Sequence, residues 1–294
     1  MRNRPRPASA ASRAAPGRAA SSPASPGIGS GAISGRNTGR IPPGKRAAEL
    51  PMKALVTGMN GTVAPALAQA LAAAGNAIIP WDRALHPIDN PEAVRFFIEC
   101  EKPDLFCHVA MGSPEWTEWT ARSCAENKIP FLHISSVSVF SGSQSGPFTV
   151  HDLPLPDDNY GRCKLEGERR VQTAHPGAHV VRIGWQIGTA PGGNQMIDYL
   201  DRTFREHGRI DASTRWFPGC SFLPDTADGL VQILRLPPDL YHLDGNPGLN
   251  FYEIATGLNK LLGHPWKVIP VSGLVQNHRM LDPRVPVAPI SDRW

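Results

Sequence analysis

The tyrosine and lysine in "NYGRCKLEGE" have the spacing of two groups that can share a proton-transfer reaction. Tyr160 and Lys164 are four residues apart in a segment predicted to be helical, so both side chains lie on one helix face. A phenol has a reference pKa of about 10, and a nearby ammonium lowers that pKa because it stabilises the phenolate. We therefore predict that Lys164 tunes Tyr160 as a general acid. A pair without function on an exposed helix face is the alternative.

A glycine-containing turn near residue 60 predicts a dinucleotide-binding site. The segment "MKALVTGMNGTVAPALAQALAAAGNAIIPWDR" reads as a strand, a turn, a helix and a second strand. Glycines let the backbone approach a pyrophosphate at the start of the helix, where free N–H groups and the helix dipole favour an anion. Ala64 stands where the usual pattern has a third glycine. The predicted cofactor contacts in this turn are Gly58, Asn60, Gly61, Thr62 and Val63.

The second strand ends in an acid and a base that favour different cofactors. Asp82 would accept a hydrogen bond from a ribose 2′-hydroxyl, which indicates NAD. Arg83 would face a 2′-phosphate, which indicates NADP. We predict NAD or NADP as the cofactor, with both residues as contacts.

Strands and helices continue to alternate after this unit, which predicts an α/β fold with a parallel sheet. In such sheets ligands bind beyond the carboxyl ends of the strands. The positions just past those ends are Ala110 and Met111, residues 135–138 and residues 183–185. A serine at the end of "IPFLHISS" can hold a substrate carbonyl while Tyr160 supplies a proton. Together with the dinucleotide turn, these residues predict carbonyl reduction.

Five segments resemble, in this order, one family: "TGMNGTVA", "HISSVSVFSG", "YGRCKLEGE", "VVRIGWQIG" and "CSFLPDTADGL". They resemble the extended short-chain dehydrogenase/reductases, and most closely the dTDP-4-dehydrorhamnose reductase-like group of sugar-nucleotide-binding proteins. The resemblance implies a Rossmann-type doubly wound sheet with a smaller C-terminal substrate lobe. It also implies that NADPH or NADH reduces a 4-keto group on a nucleotide-linked sugar. It makes Ser136, Tyr160 and Lys164 the catalytic residues, and the last two also cofactor contacts.

The same resemblance predicts the domain organisation. Residues 52–185 form the dinucleotide-binding domain, and residues 186–294 form mainly the substrate lobe, with elements that return to the first domain. Residues 1–51 carry eight arginines and one lysine against a single acid, in a background of Ala, Ser, Gly and Pro. This composition predicts a disordered basic extension.

Four residues are predicted to contact the substrate. Ser138 and Trp185 lie past strand ends. The resemblance implies that the region of Arg215 and Trp216 faces the sugar nucleotide, where Arg215 would neutralise a pyrophosphate and Trp216 would stack on a base. For Arg215 an ion pair on the surface, and for Trp216 packing against other side chains, are equally open interpretations. Val137 and Ser138 replace an acid and an aromatic of the family, so we expect substrate recognition to differ. A related epimerase and a non-catalytic regulatory protein that binds NAD(P) are the alternative functions.

The amino-acid composition restricts the kinds of ligand and surface that the protein is expected to bind. Residues 51–294 hold 21 basic and 25 acidic residues, which argues against nucleic-acid binding by the folded part. The five cysteines lack metal-ligand spacing and the ten histidines form no HExxH motif, so we predict no metal. No apolar run reaches 18 residues, and we predict no membrane span. We expect a cytoplasmic enzyme, with a homodimer as a possibility.

Overall fold

Strands and helices alternate along the chain in the computed structural model, which describes residues 52–188 and 194–294. The predicted disordered extension lies outside the described residues. The strands are β1 (Lys53–Val56), β2 (Ala77–Pro80), β3 (Leu105–His108), β4 (Phe131–Ser136), β5 (His179–Ile183), β6 (Trp185–Ile187), β7 (Ile210–Ser213), β8 (Trp216–Phe217), β9 (Cys220–Phe222), β10 (Leu240–Leu243), β11 (Val268–Val271) and β12 (Gln276–Asn277). The helices are α1 (Val63–Ala73), α2 (Pro91–Glu101), α3 (Pro114–Glu126), α4 (Asn159–Ala174), α5 (Met196–His207), α6 (Leu223–Ile233) and α7 (Phe251–Leu262).

Six of these strands form one parallel sheet in the order β2-β1-β3-β4-β5-β10. The order reverses at β1, because the chain moves outward to β2 and then returns to the other side of β1 for β3. At such a reversal the helices that follow the two strands cover opposite faces and leave a crevice beyond the carboxyl ends. The predicted α/β fold with a doubly wound, Rossmann-type parallel sheet is confirmed.

Alternate strand residues point to two apolar layers, one on each face of this sheet. Ala54 and Val56 of β1 pack with α1 and α6, whereas Leu55 between them packs with α2 and α3. This alternation follows from the two-residue period of a strand. Since both faces are covered, the strands read as continuous apolar runs.

The chain beyond β5 forms three short parallel ladders, in which β6 pairs with β9, β7 with β11 and β8 with β12. A separate apolar cluster that includes Ile187, Leu200, Ile210 and Leu258 packs these ladders against α5 and α7. The strand β10 and the helix α6 belong instead to the main sheet and its cover. All described residues fall in one compact unit, and the domain boundary at residue 185 stays a prediction.

Two helices of the C-terminal part begin differently. Asn250 caps α7, because its side chain accepts from the Glu253 amide at 3.0 Å and the Glu253 carboxylate accepts from the Asn250 amide at 2.8 Å. Asp225 does not cap α6, although it is the first acidic residue of that helix. That helix begins at Leu223, and Asp225 lies in its first turn, where it pairs with Arg293.

None of the helices in residues 52–188 and 194–294 has the length and apolar character needed to cross a membrane.

The start of α4 is held unusually close to the chain that follows β4. Asp158 caps this helix by accepting a hydrogen bond from the Gly161 amide at 2.6 Å. A Cβ atom at Gly161 would overlap the carbonyl oxygen of Ser138, which lies in a short 3-10 helix (Val137–Val139). Glycine at this position therefore lets the first turn of α4, with Tyr160, approach the end of β4.

We expect Gly161→Ala to lower the free energy of unfolding by about 2 kcal/mol or more, because the methyl group meets backbone that must move. Urea unfolding followed by circular dichroism measures the change. Arg169→Ala, at an exposed position of the same helix, is the matched control and should stay within about 0.5 kcal/mol of the original protein. Equal stability of the two variants would contradict the close packing of α4.

Candidate active site

A cleft of about 1100 Å³ opens at the carboxyl edge of the main sheet. The ends of β1 to β5 and the start of α4 contribute to its wall. Every predicted catalytic and cofactor residue lines this cleft, together with two of the four predicted substrate residues. These lining residues are Gly58, Asn60, Gly61, Thr62, Val63, Asp82, Arg83, Ala110, Met111, Ser136, Ser138, Tyr160, Lys164 and Trp185.

The turn after β1 brings the ends of β1 and β3 together. Gly58 has a φ of +87°, and a Cβ atom there would lie 2.9 Å from the Ala110 amide nitrogen. Only glycine combines this backbone conformation with so close an approach. The Thr57 hydroxyl accepts hydrogen bonds from the Val109 and Ala110 amides, both at 3.0 Å. The floor of the cleft is therefore a narrow, backbone-lined surface.

The first turn of α1 presents free N–H groups to this floor. Thr62 precedes the helix and makes no side-chain capping bond, and the first turn contains no acidic residue. Free N–H groups and the positive end of the helix dipole favour a bound anion. Ala64, in place of a third glycine, is fully buried in the apolar layer under the sheet. The glycine cradle and the uncapped helix together fit a pyrophosphate group.

The acid and the base after β2 occupy one side of the cleft. Asp82 accepts a hydrogen bond from the Ala84 amide at 2.8 Å, and Arg83 donates to the Met111 carbonyl. The Arg83 guanidinium also lies 4.9 Å from the ring centroid of Trp116. Arg83 therefore spans from the end of β2 to the end of β3. Since both side chains are exposed in the cleft, both stay candidate contacts to a dinucleotide ribose.

Ser136 and Tyr160 form the polar centre of the cleft. The Ser136 hydroxyl accepts from the Ser138 amide at 3.1 Å and donates to the Ser138 hydroxyl at 3.2 Å. The Tyr160 side chain is 43% exposed. Its partial burial raises the pKa of the phenol, and the neighbouring Ser136 side chain opposes this increase. A neutral phenol beside a hydroxyl can donate a proton to a bound oxygen.

Lys164 is buried one turn further along α4, with 6% of its surface exposed. Its ammonium donates a hydrogen bond to the Ile134 carbonyl at 2.9 Å and lies 6.0 Å from the ring centroid of Tyr160. Burial lowers the pKa of Lys164 to about 8, and Cys163 and Glu168 oppose this effect. The expected lowering of the Tyr160 pKa by Lys164 does not prevail, because the amine is bonded to the strand and the phenol is desolvated.

The predicted substrate residues divide into two groups. Ser138 and Trp185 line the cleft, whereas Arg215 and Trp216 are not among its lining residues. Trp216 packs into the C-terminal apolar cluster, with its ring centroid 4.7 Å from that of Phe251. Arg215 is exposed. Trp185 connects the cleft to this cluster, since its ring is stacked 6.2 Å from that of Trp216.

Sequence reasoning missed several lining residues. Most of them flank a predicted residue at a strand end, and that position was the available signal. Gln186 is different, because it is a buried polar residue on β6 that no motif indicates. The missed lining residues are Met59, Pro80, Trp81, Ala84, Val109, Ile134, Gln186 and Asn194.

Within the described part of the chain, no three His, Cys, Asp or Glu side chains are grouped so that they could hold a metal ion.

Comparison with known proteins identifies the family. The model of the RmlD substrate binding domain matches residues 114–274. A spore coat polysaccharide biosynthesis protein of Bacillus subtilis is 22% identical over 236 residues, 75% of this chain and 83% of that protein. The dTDP-4-dehydrorhamnose reductase of Aggregatibacter actinomycetemcomitans is 24% identical over 228 residues, 69% of this chain and 77% of that protein.

Solved structures are similar in fold. The dTDP-4-dehydrorhamnose reductase of Bacillus anthracis, solved in complex with NADP, superposes with a TM-score of 0.68 at 19% identity, over 81% of this chain and 91% of that chain. At this identity the similarity shows a shared fold. Because the family model matches more than half of the residues, the chain belongs to the family of the RmlD substrate binding domain.

Proposed function

We propose that the protein is an NAD(P)-dependent oxidoreductase that reduces a keto group of a nucleotide-linked sugar. One observation carries this proposal: Ser136, Tyr160 and Lys164 line the same cleft as the glycine turn after β1. The dTDP-4-dehydrorhamnose reductase relative acts, by its name, on a keto sugar attached to a nucleotide. The combination favours carbonyl reduction over simple dinucleotide binding.

The turn after β1 supports the cofactor assignment. Gly58 and Gly61 leave room for a pyrophosphate, and the uncapped start of α1 supplies N–H donors. Asp82 and Arg83 are the proposed contacts to the adenosine ribose. Either NAD or NADP fits these residues, and the Bacillus anthracis structure contains NADP. When bound, such a dinucleotide supplies the hydride for the reduction.

The chain's own residues then handle the carbonyl oxygen. Tyr160 donates the proton that this oxygen takes up, since burial keeps its phenol neutral. Ser136 turns its hydroxyl from Ser138 toward the same oxygen and donates a hydrogen bond that becomes stronger as negative charge develops. Lys164 provides a fixed positive charge beneath both groups.

Ser138 and Trp185 are the proposed substrate contacts, because both line the cleft beyond the catalytic residues. Arg215 and Trp216 keep their predicted roles toward a pyrophosphate and a base only if the substrate reaches past Trp185. A homodimer and a cytoplasmic location remain predictions from the sequence.

We expect Tyr160→Phe to lower kcat for reduction of nucleotide-linked keto sugars by about 100-fold or more, because the proton donor is lost. Absorbance loss of NADPH or NADH measures turnover, and calorimetric titration with the same dinucleotides measures binding. Binding should change little. Tyr252→Phe, in α7 and outside the cleft lining, is the control and should retain full turnover. Full turnover by the Tyr160 variant would exclude the proposed role, and interconversion of sugars without net oxidation of the cofactor would favour the epimerase alternative.

We expect Gly58→Ala to weaken NADPH and NADH binding about tenfold or more, because a methyl group there meets the backbone that shapes the floor of the cleft. Gly75→Ala is the matched control. Gly75 has a similar φ of +92°, so it shares the backbone strain, but a Cβ atom there meets nothing within 4 Å. Equal losses of binding in the two variants would show that strain, and not the cleft floor, causes the effect.

A further inference from the structure

A buried ion pair lies beneath α4, one helical turn beyond the proposed catalytic lysine. Glu168 and Arg182 are 1% and 3% exposed. The Arg182 guanidinium donates to both carboxylate oxygens of Glu168, at 2.9 Å from Nε and 2.7 Å from Nη2. The Ser135 hydroxyl donates to the same carboxylate. The bidentate pairing with Arg182 and the hydrogen bond from Ser135 stabilise the Glu168 carboxylate, whose burial would otherwise be costly.

Arg182 is itself held from its other side. Its Nη1 donates to Nε2 of His242 at 3.4 Å, and its guanidinium lies 5.1 Å from the ring centroid of Phe140. Nδ1 of His242 donates to the Phe148 carbonyl at 3.2 Å, which leaves Nε2 free to accept. Burial lowers the pKa of His242 to about 4, so this histidine is neutral near pH 7. Arg182 therefore carries the positive charge opposite Glu168, and His242 adds none.

Glu168 and Lys164 form hydrogen bonds with neighbouring residues of the same strand, β4. Lys164 bonds the carbonyl of Ile134, and the next residue of β4, Ser135, bonds Glu168. Lys164 and Glu168 are also four residues apart on α4, so their side chains share a helix face. Glu168 raises the pKa of Lys164 against the effect of burial.

The other titratable groups around Lys164 come from three elements. Cys163 and Tyr160 lie on α4 itself, His133 lies on β4, and His108 lies on β3 with Arg83 beyond it. Burial lowers the pKa of His108 to about 3 and that of His133 well below its usual value, so both rings are neutral. Neither histidine therefore adds a positive charge that would repel the Lys164 ammonium.

We propose that Glu168 is a positioning residue that sustains the positive charge of Lys164, with Arg182 as the counter-ion of its carboxylate in the protein interior. The catalytic meaning of this charge rests on the proposed function. The electrostatic coupling between Glu168 and Lys164 does not, and it is measurable without substrate.

The test is a pH titration of lysine side chains by NMR in protein labelled with 13C at the lysine ε position. The chain has seven lysines, and Lys164→Met identifies the resonance of Lys164. We expect the titration midpoint of Lys164 in Glu168→Gln to fall by about one pH unit, because a favourable charge is removed and Arg182 is left unpaired. The alkaline limb of the kcat/KM profile should move down by a similar amount.

Two control variants separate charge from packing. Glu166→Gln removes the same charge from α4, at a carboxylate that pairs with Arg170 and is 43% exposed. Ser135→Ala removes one hydrogen bond to Glu168 without removing charge. Both should leave the Lys164 midpoint unchanged within experimental error. A purely structural role of Glu168 would instead lower stability in Glu168→Gln and leave the Lys164 midpoint in place.

A double variant tests the same inference if Glu168→Gln does not fold. Glu168→Gln combined with Arg182→Met leaves no unpaired charge in the interior, and the Lys164 midpoint should fall by less than in the single variant. An unchanged midpoint in the folded variants would overturn the inference. Absence of keto-sugar reduction by the unmodified protein, with the midpoint shift present, would overturn the proposed function and leave the coupling intact.

Discussion

The reversal of strand order beside β1 is the constraint on which the rest of the site depends. Because α1 and α3 cover opposite faces of the sheet, the described residues leave a crevice above the ends of β1 and β3. The Thr57 hydroxyl fastens these two strand ends together through the amides of Val109 and Ala110. The strand reversal therefore provides the crevice, and these hydrogen bonds provide its floor. Polar residues at the ends of the other strands lie in the same crevice.

Charge burial is the main energetic demand of this arrangement. Placing an ammonium at 6% exposure and an ion pair at 1% and 3% exposure under one helix is unfavourable unless each group is bonded. The strand β4 meets part of this demand through one backbone group and one side-chain group. Its Ile134 carbonyl accepts from Lys164, and its Ser135 hydroxyl donates to Glu168. The next residue, Ser136, is left for the cleft.

The sequence predicts the fold where local patterns are strong. The bounds of β1 and β2 follow from short apolar runs on either side of a glycine turn, and the proposed roles of Tyr160 and Lys164 follow from a motif in α4. The ion pair between Glu168 and Arg182 could not be predicted, because no local pattern shows that a helix residue and a strand residue will meet. The strands of the C-terminal part have two to four residues, too few for a periodicity that would place Arg215 or Trp216.

Trp185 gives the cleft a mechanical link to the C-terminal part of the chain. Trp185 lines the cleft, and its neighbours Trp216 and Phe251 belong to the apolar cluster that packs against the short ladders. A ligand that contacts this indole therefore contacts a side chain of that cluster. By thermodynamic linkage, a molecule that binds only the folded chain raises its melting temperature, and Trp185 makes the C-terminal cluster part of what such a ligand stabilises.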